Sequence, residues 1–156
     1  MKKTVKTIVK LLGSALCALF FDTVHTVCAK DYTEQQCDAW APREFDCAAL
    51  CGRLASSYAL VAECGGALAG FANLGEDGYF DCLYVSSQMQ GRGVATALAD
   101  AMERRAAQQG ASRMVSDVSI TARPFFEHRG YRVVQEQTVV RHGVAMTNYH
   151  MEKVLP

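Results

Sequence analysis

Leu83-Tyr84-Val85-Ser86-Ser87-Gln88-Met89-Gln90-Gly91-Arg92-Gly93-Val94-Ala95-Thr96-Ala97-Leu98 is the stretch on which the reading of this chain turns. An apolar strand runs into a loop holding two glycines and an arginine, and a helix follows at once. Glycine lets backbone N–H groups converge on a shared hollow and come close to a ligand. The positive end of the following helix adds to that field, and Arg92 can supply a charge-assisted hydrogen bond at the same place. The loop therefore suits a phosphate or pyrophosphate. A Walker loop would need a Lys after its glycines, and the dinucleotide fingerprint would need a third glycine where Thr96 stands. What the loop does fit is Q/R-x-x-G-x-G/A, filled by Gln90, Gly93 and Ala95.

Outward from that loop, the 156 residues are half hydrophobic and 21% charged, the balance of one soluble domain with a sizeable core. Formal net charge is zero, which argues against an extended nucleic-acid surface, because such binding needs clustered excess Lys and Arg. The seven cysteines are odd in number, show no C-x-x-C pair, and lie between Cys17 and Cys82, with Cys47 and Cys51 the closest two. That pattern predicts no metal site and no fully paired disulfide framework, but free thiols acting as small hydrophobes in a reducing cytoplasm.

The N-terminus has features of an export signal: Lys2, Lys3 and Lys6 precede an apolar run from Leu11 to Phe21, and Val27-Cys28-Ala29 resembles a cleavage site. Cleavage there would make this an exported protein and remove the first helix. Against it stand Lys10, Asp22 and His25, and the helical spacing of Leu11, Leu12, Ala15, Leu16, Leu19, Phe20 and Val24. No strictly apolar stretch reaches the ~18 residues of a membrane span, so no membrane partner is expected.

Residues near Thr4 to Val9 read as a short edge strand, and a helix is predicted from about Lys10 to Val27. Thr33 with Gln36 forms a capping-box pattern for a second helix ending near Trp40-Ala41-Pro42. A third helix covers roughly Asp46 to Ser56, with Cys47, Leu50, Cys51 and Leu54 on one face. Strands follow at Tyr58–Glu63, Ala67–Leu74 and Tyr79–Val85, then a helix at Val94–Gln109, a strand at Arg113–Val118, a short helix at Thr121–Arg129, and a hairpin of Tyr131–Arg141 with Val144–Lys153. A helix joining two neighbouring strands implies a parallel pair, so the sheet is mixed.

The six-residue loop motif, the Leu83-Tyr84-Val85 strand before it and the helix after it together resemble the acetyl-CoA loop of the GNAT superfamily of N-acetyltransferases. The element order agrees over about Leu19 to Lys153. The phrases Phe20-Phe21-Asp22-Thr23-Val24-His25, Asp31-Tyr32-Thr33, Trp40-Ala41-Pro42 and Ser119-Ile120-Thr121-Ala122 resemble a bacterial branch of that superfamily called YafP-like. The resemblance implies a single α+β (mixed α/β) domain over residues 1–156. Its central sheet would be mostly antiparallel, of six to seven strands with one parallel pair splayed for acetyl-CoA, beside about four helices. It implies acetyl-CoA as co-substrate, a small-molecule amine or a protein amino group as acceptor, and a fold that often forms homodimers.

Residue by residue, the resemblance assigns Leu83, Tyr84 and Val85 to the pantetheine arm, and Gly91, Arg92, Gly93, Val94, Ala95 and Thr96, with Gln90, to the pyrophosphate. Family members usually carry an Asn at the end of the fifth strand and, seven residues later, a Tyr that protonates the departing thiolate. Here those cofactor-side positions are Ser119 and Phe126, and Phe cannot donate a proton. Candidate replacements are Tyr149, His150 and Tyr131, although Tyr131 sits where an aromatic normally packs in the core. Tyr149 and His150 point to opposite faces of one strand, so at most one faces the site. Asp81 is the candidate base. His25, Asp31, Tyr32, Trp40 and Asn148 are placed along the acceptor pocket. Cys82 alternates away from Asp81 and Leu83, so direct attack in a ternary complex is favoured over a cysteine intermediate. The missing tyrosine leaves a rival reading open, a non-catalytic acyl-CoA-binding or sensing module.

Overall fold

The computed structural model describes residues 5–156, with side chains from residue 12 onward. Helix α1 (Val5–Thr26) opens the described chain, followed by α2 (Glu34–Trp40) and α3 (Cys47–Ala55). The short strand expected near Thr4–Val9 is therefore corrected: Thr4 lies outside the described residues, and Val5 to Val9 are the first turns of α1. Their β-branched side chains favour a strand only where a neighbouring strand pairs with them. The capping box of α2 forms as read, with the Gln36 N–H donating to Thr33 Oγ1 at 3.1 Å and the Thr33 N–H to Gln36 Oε1 at 3.0 Å. Asp46 caps α3 by accepting from the Ala49 N–H at 3.2 Å.

Strands β1 (Tyr58–Cys64), β2 (Ala67–Leu74) and β3 (Phe80–Val85) form an antiparallel meander. Helix α4 (Val94–Gln108) leads to β4 (Arg113–Ser119), α5 (Arg123–His128) leads to β5 (Arg132–Arg141), and β6 (Val144–Val154) inserts between β5 and β4. The expected mixed, mostly antiparallel α+β fold is present, with six strands and five α-helices among the described residues; the strands fall into two three-stranded antiparallel sheets, ordered β1-β2-β3 and β4-β6-β5, rather than one central sheet. One parallel bridge, Tyr79 to Val115, joins the sheets. Gly78 permits that close approach, since it holds φ +77° and a Cβ there would run into the Arg113 carbonyl. The Ser116 hydroxyl, donating to the Phe80 carbonyl at 2.8 Å, strengthens the same end. Toward Val85 and Ser119 the strands diverge.

β2 is buried on both sides because helices cover both. Phe71 packs with Leu16, Leu19 and Leu54 of α1 and α3, whereas Ala72 and Leu74 pack with Leu98 and Met102 of α4. α1 is thus part of the core, with Leu16, Leu19 and Val24 buried. By length and composition Leu12–Lys30 is also apolar enough to cross a membrane, 19 residues at mean hydropathy 1.5, which corrects the expectation from strictly apolar runs. A disulfide joins Cys17 of α1 to Cys47 of α3, with Cα atoms 5.9 Å apart. The all-free-thiol expectation is corrected for this pair, because helix packing brings together two positions 30 residues apart; Cys28, Cys37, Cys51, Cys64 and Cys82 are free.

Candidate active site

The gap between β3 and β4 is a narrow slot of about 210 Å³. Leu83, Tyr84 and Val85 border it from β3, Ser116, Val118 and Ser119 from β4, and Gln90 and Ala95 close the end nearest the glycine loop. β3 forms its ladder with β2 on the other side, so between Phe80 and Val85, whose carbonyls are already engaged, its backbone groups along the slot can pair with an extended ligand as an added strand would. Gly91 and Gly93 hold φ +70° and +77°, and a Cβ on either would have nothing within 4 Å, so the loop faces open space. The first-turn amides of α4 point out of its N-terminus without carbonyls one turn earlier. Gln90 stiffens the loop from within, its Nε2 donating to the Val85 carbonyl at 2.8 Å. Val94 is buried in the core and offers the ligand only its backbone, while Arg92 and Thr96 are exposed. These residues fit a pyrophosphate with a pantetheine arm running into the slot.

A second cavity, about 670 Å³, opens between α2, α3 and the β5–β6 hairpin. Aromatic rings form one wall: Tyr32 and Trp40 meet edge-on at 5.5 Å, Phe20 and Tyr84 at 5.0 Å, and Phe45 packs on Phe20 at 5.3 Å. The Tyr32 hydroxyl donates to the Thr147 carbonyl at 2.6 Å and accepts from the Ile120 N–H at 2.9 Å, pinning this wall to β6 and to the loop after β4. Charged groups line the remainder, among them Arg53, Asp81, Asp117 and Arg141.

Trp40, Asp81, Tyr84, Asp117 and Ser119 border both cavities. They mark the junction where something in the slot meets something in the larger cavity. Asp81 is held by an ion pair from Arg53 and by Asn73 Nδ2 at 3.0 Å. Asp117 accepts from His150 Nδ1 at 2.9 Å, Gln137 Nε2 at 3.0 Å and the Tyr79 hydroxyl at 3.0 Å. Burial pushes the Asp117 carboxyl up, but those donors outweigh it and hold it below the ordinary carboxylate value. Burial and the Asp117 charge push the Tyr79 phenol well above its usual range. Burial likewise raises the Cys82 thiol to about 12, so no ready thiolate stands beside the site.

The structure brings together Asp81, Tyr84, Trp40, Tyr32, Asn148 and Ser119 around these cavities. Phe126 borders the slot from within the core, packed on Phe80, Phe125 and Tyr131. Tyr131 is itself a core residue, 3% exposed. Others lie elsewhere. Tyr149 stacks under the Arg123 guanidinium at 4.4 Å, and His150 touches the junction only through Asp117. His25 donates to or accepts from no cavity group, its Nε2 lying 2.8 Å from the Ala41 carbonyl, and Asp31 is exposed on the surface. Asp117 and Arg53 escaped the reading of the sequence. Asp117 stands two residues before Ser119, so strand alternation places both on one face, a signal the sequence did contain.

Residues 28–153 match the family described as Acetyltransferase (GNAT) domain. The chain is 35% identical over 136 residues to the uncharacterized N-acetyltransferase YafP of Escherichia coli (strain K12), covering 87% of this chain and 85% of that one. It superposes on a GCN5-related N-acetyltransferase from Rhodopseudomonas palustris with a TM-score of 0.93 at 34% identity, covering 99% of this chain and 95% of the other. The structure of yncA from Salmonella typhimurium with its cofactor acetyl-CoA shares the fold, with a TM-score of 0.72 at 18% identity over 100% of this chain and 94% of that one. A slot between parted strands, a glycine loop at its mouth and a family match spanning both lead to one conclusion: this chain belongs to the GNAT family and is an N-acetyltransferase.

Proposed function

We propose that the protein transfers the acetyl group of acetyl-CoA to an amine by direct attack, with both substrates bound together. The observation that carries this reading is the shared border: Trp40, Asp81, Tyr84, Asp117 and Ser119 line the slot and the larger cavity alike. With the pyrophosphate at Gln90–Thr96 and the pantetheine along Leu83, Tyr84 and Val85, the thioester end of the cofactor reaches that border. An amine whose apolar part lies against Phe20, Tyr32, Trp40 and Phe45 meets it there, as the approach of two held reactants requires. Asp81 and Asp117 attract the incoming ammonium. Asp81 is the drier of the two, its side chain 14% exposed against 36% for Asp117, and its oxygens are engaged by Arg53 and Asn73. We therefore assign Asp81 to holding the acceptor and Asp117 to receiving the amine proton through water.

Incubating the protein with acetyl-CoA and a panel of small amines and amino-terminal peptides, and following thiol release, tests the proposal. Amine-dependent release with a matching acetylated product is expected. Silence across a broad panel, with acetyl-CoA still bound, would defeat it and favour an acyl-CoA-sensing role.

A further inference from the structure

An amide-forming transfer must protonate the departing sulfur, and Phe126 brings no hydroxyl to the slot. Resting on the acetyl-transfer reading above, we propose that the Tyr84 hydroxyl protonates the coenzyme A thiolate as it leaves. Three tyrosines border the cavities, and two have hydroxyl protons already engaged: Tyr32 donates to the Thr147 carbonyl and Tyr79 to Asp117. Among the described residues, no hydrogen-bond acceptor stands against the Tyr84 hydroxyl. The neighbouring Trp40 ring, its centroid 6.4 Å away, carries an indole N–H that donates and cannot accept the phenolic proton.

Position supports the same assignment. Tyr84 sits at the junction, lining the slot and the larger cavity alike. Its ring cannot swing away, because Phe20 packs on it at 5.0 Å and its cross-strand partner Phe71 at 5.5 Å. Burial raises this phenol far above its usual range, so it holds its proton throughout the working pH range; Cys28 and Cys82 push the same way and Arg141 opposes them. Ser119, the other hydroxyl at the junction, accepts from the Ala122 N–H at 3.0 Å.

The step balances without any further reagent. The bound ammonium first gives a proton to solvent water, and the neutral amine's lone pair then attacks the carbonyl carbon and forms the C–N bond. Collapse of the tetrahedral intermediate breaks the C–S bond, and the bonding pair goes to sulfur. Sulfur takes the Tyr84 proton, the nitrogen loses one to Asp117, and that proton returns to the Tyr84 oxygen through cavity water. Amide and free thiol are the products, and the protein is unchanged.

Tyr84→Phe keeps the ring packing and removes only the donor. Two measurements on the intact chain test it. In calorimetric titrations with coenzyme A and its desulfo analogue at pH 7 and pH 9, the wild type should prefer coenzyme A, by about tenfold more at the higher pH where the thiolate forms. Tyr84→Phe should lose that preference while binding the desulfo analogue equally well. Cys28, Cys82 and Arg141 are present in both proteins, so their titration cancels. In the transfer assay, kcat should fall about 100-fold with the KM for acetyl-CoA unchanged. Tyr84→Phe retaining both the preference and the rate overturns the proposal, as does a loss produced by Ser119→Ala instead. A Tyr84→Phe protein that melts early and binds neither ligand also overturns it, by making the ring scaffold. Failure of the wild type to bind coenzyme A would sink the acetyl-transfer reading first, a distinct result.

Discussion

His150 Nδ1 lies 2.9 Å from Asp117 Oδ1, and the two residues are direct partners across the β4–β6 ladder. With Gln137 and Tyr79 they hold a carboxylate ionised at the junction of the two cavities. Because its folded value is depressed, Asp117 contributes stability that is present above the ordinary carboxylate range and disappears as pH falls through the lowered value. Asp117→Asn should therefore lower denaturation midpoints at pH 7, with the gap to wild type closing as the buffer is taken toward pH 3. The same variant should lose roughly 10- to 100-fold in kcat/KM at neutral pH, the usual scale for removing a general base.

Two glycines near the cofactor slot should answer alanine differently. Gly93 holds φ +77° with no neighbour a Cβ would touch, so Gly93→Ala costs about 1 kcal/mol in backbone strain and misaligns the loop amides. Coenzyme A affinity should drop about tenfold while the protein stays folded. At Gly70 a Cβ would stand 2.7 Å from the Tyr84 carbonyl and 3.2 Å from Val94, backbone and core that have no room to yield. Gly70→Ala should lower the melting temperature sharply, and thermal melts of both variants distinguish the two mechanisms.

Phe126→Tyr restores a hydroxyl at the slot's edge. The ring is 3% exposed and packed at 5.0 Å on Tyr131, so the added oxygen should cost about 1–2 kcal/mol of stability in the absence of ligand. In wild-type background the rate should barely change. In the Tyr84→Phe background the rate should recover by tenfold or more, read from kcat in the thiol-release assay.

Reducing the Cys17–Cys47 bond opens a loop whose ends are 30 residues apart, worth about 3–4 kcal/mol on the chain-entropy account. Dithiothreitol or Cys17→Ser should lower the melting temperature accordingly. Intact-mass measurement after alkylation of the unreduced, unfolded protein should count five modified thiols, against seven after reduction. α3 also carries Arg53, so the KM for the amine should rise along with the loss of stability.

Local patterns in the sequence were a good guide wherever short-range chemistry decides the structure. Ala67–Leu74 is a strand with the bounds its turn glycines imply, Thr33 and Gln36 close their capping box, and Gly91 and Gly93 take up left-handed geometry ahead of α4. Long-range pairing was the harder part. The division into two sheets depends on which strand edges meet, a matter of Gly78 against Arg113 that no periodicity reveals. The Cys17–Cys47 contact arises only when α1 lies on α3. Asp81 is a candidate in the sequence by its place before Leu83 and borders both cavities, whereas Asp117 needed β6 beside it to disclose His150. Tyr149 shows the converse: alternation left its face undecided, and Arg123 takes it away from the cavity.

The meeting of the two sheets at Tyr79 and Val115 has a thermodynamic corollary. Below that bridge the strands are parted, so a molecule lodged between them acts as the rung the ladder lacks, and it does so only in the folded chain. Occupancy must then raise resistance to unfolding by mass action, by about 2.7 kcal/mol when the free cofactor stands at a hundred times its dissociation constant. Acetyl-CoA would serve this protein as a fastener as well as an acyl donor, and the metabolic supply of the donor would set how firmly the two sheets are held together.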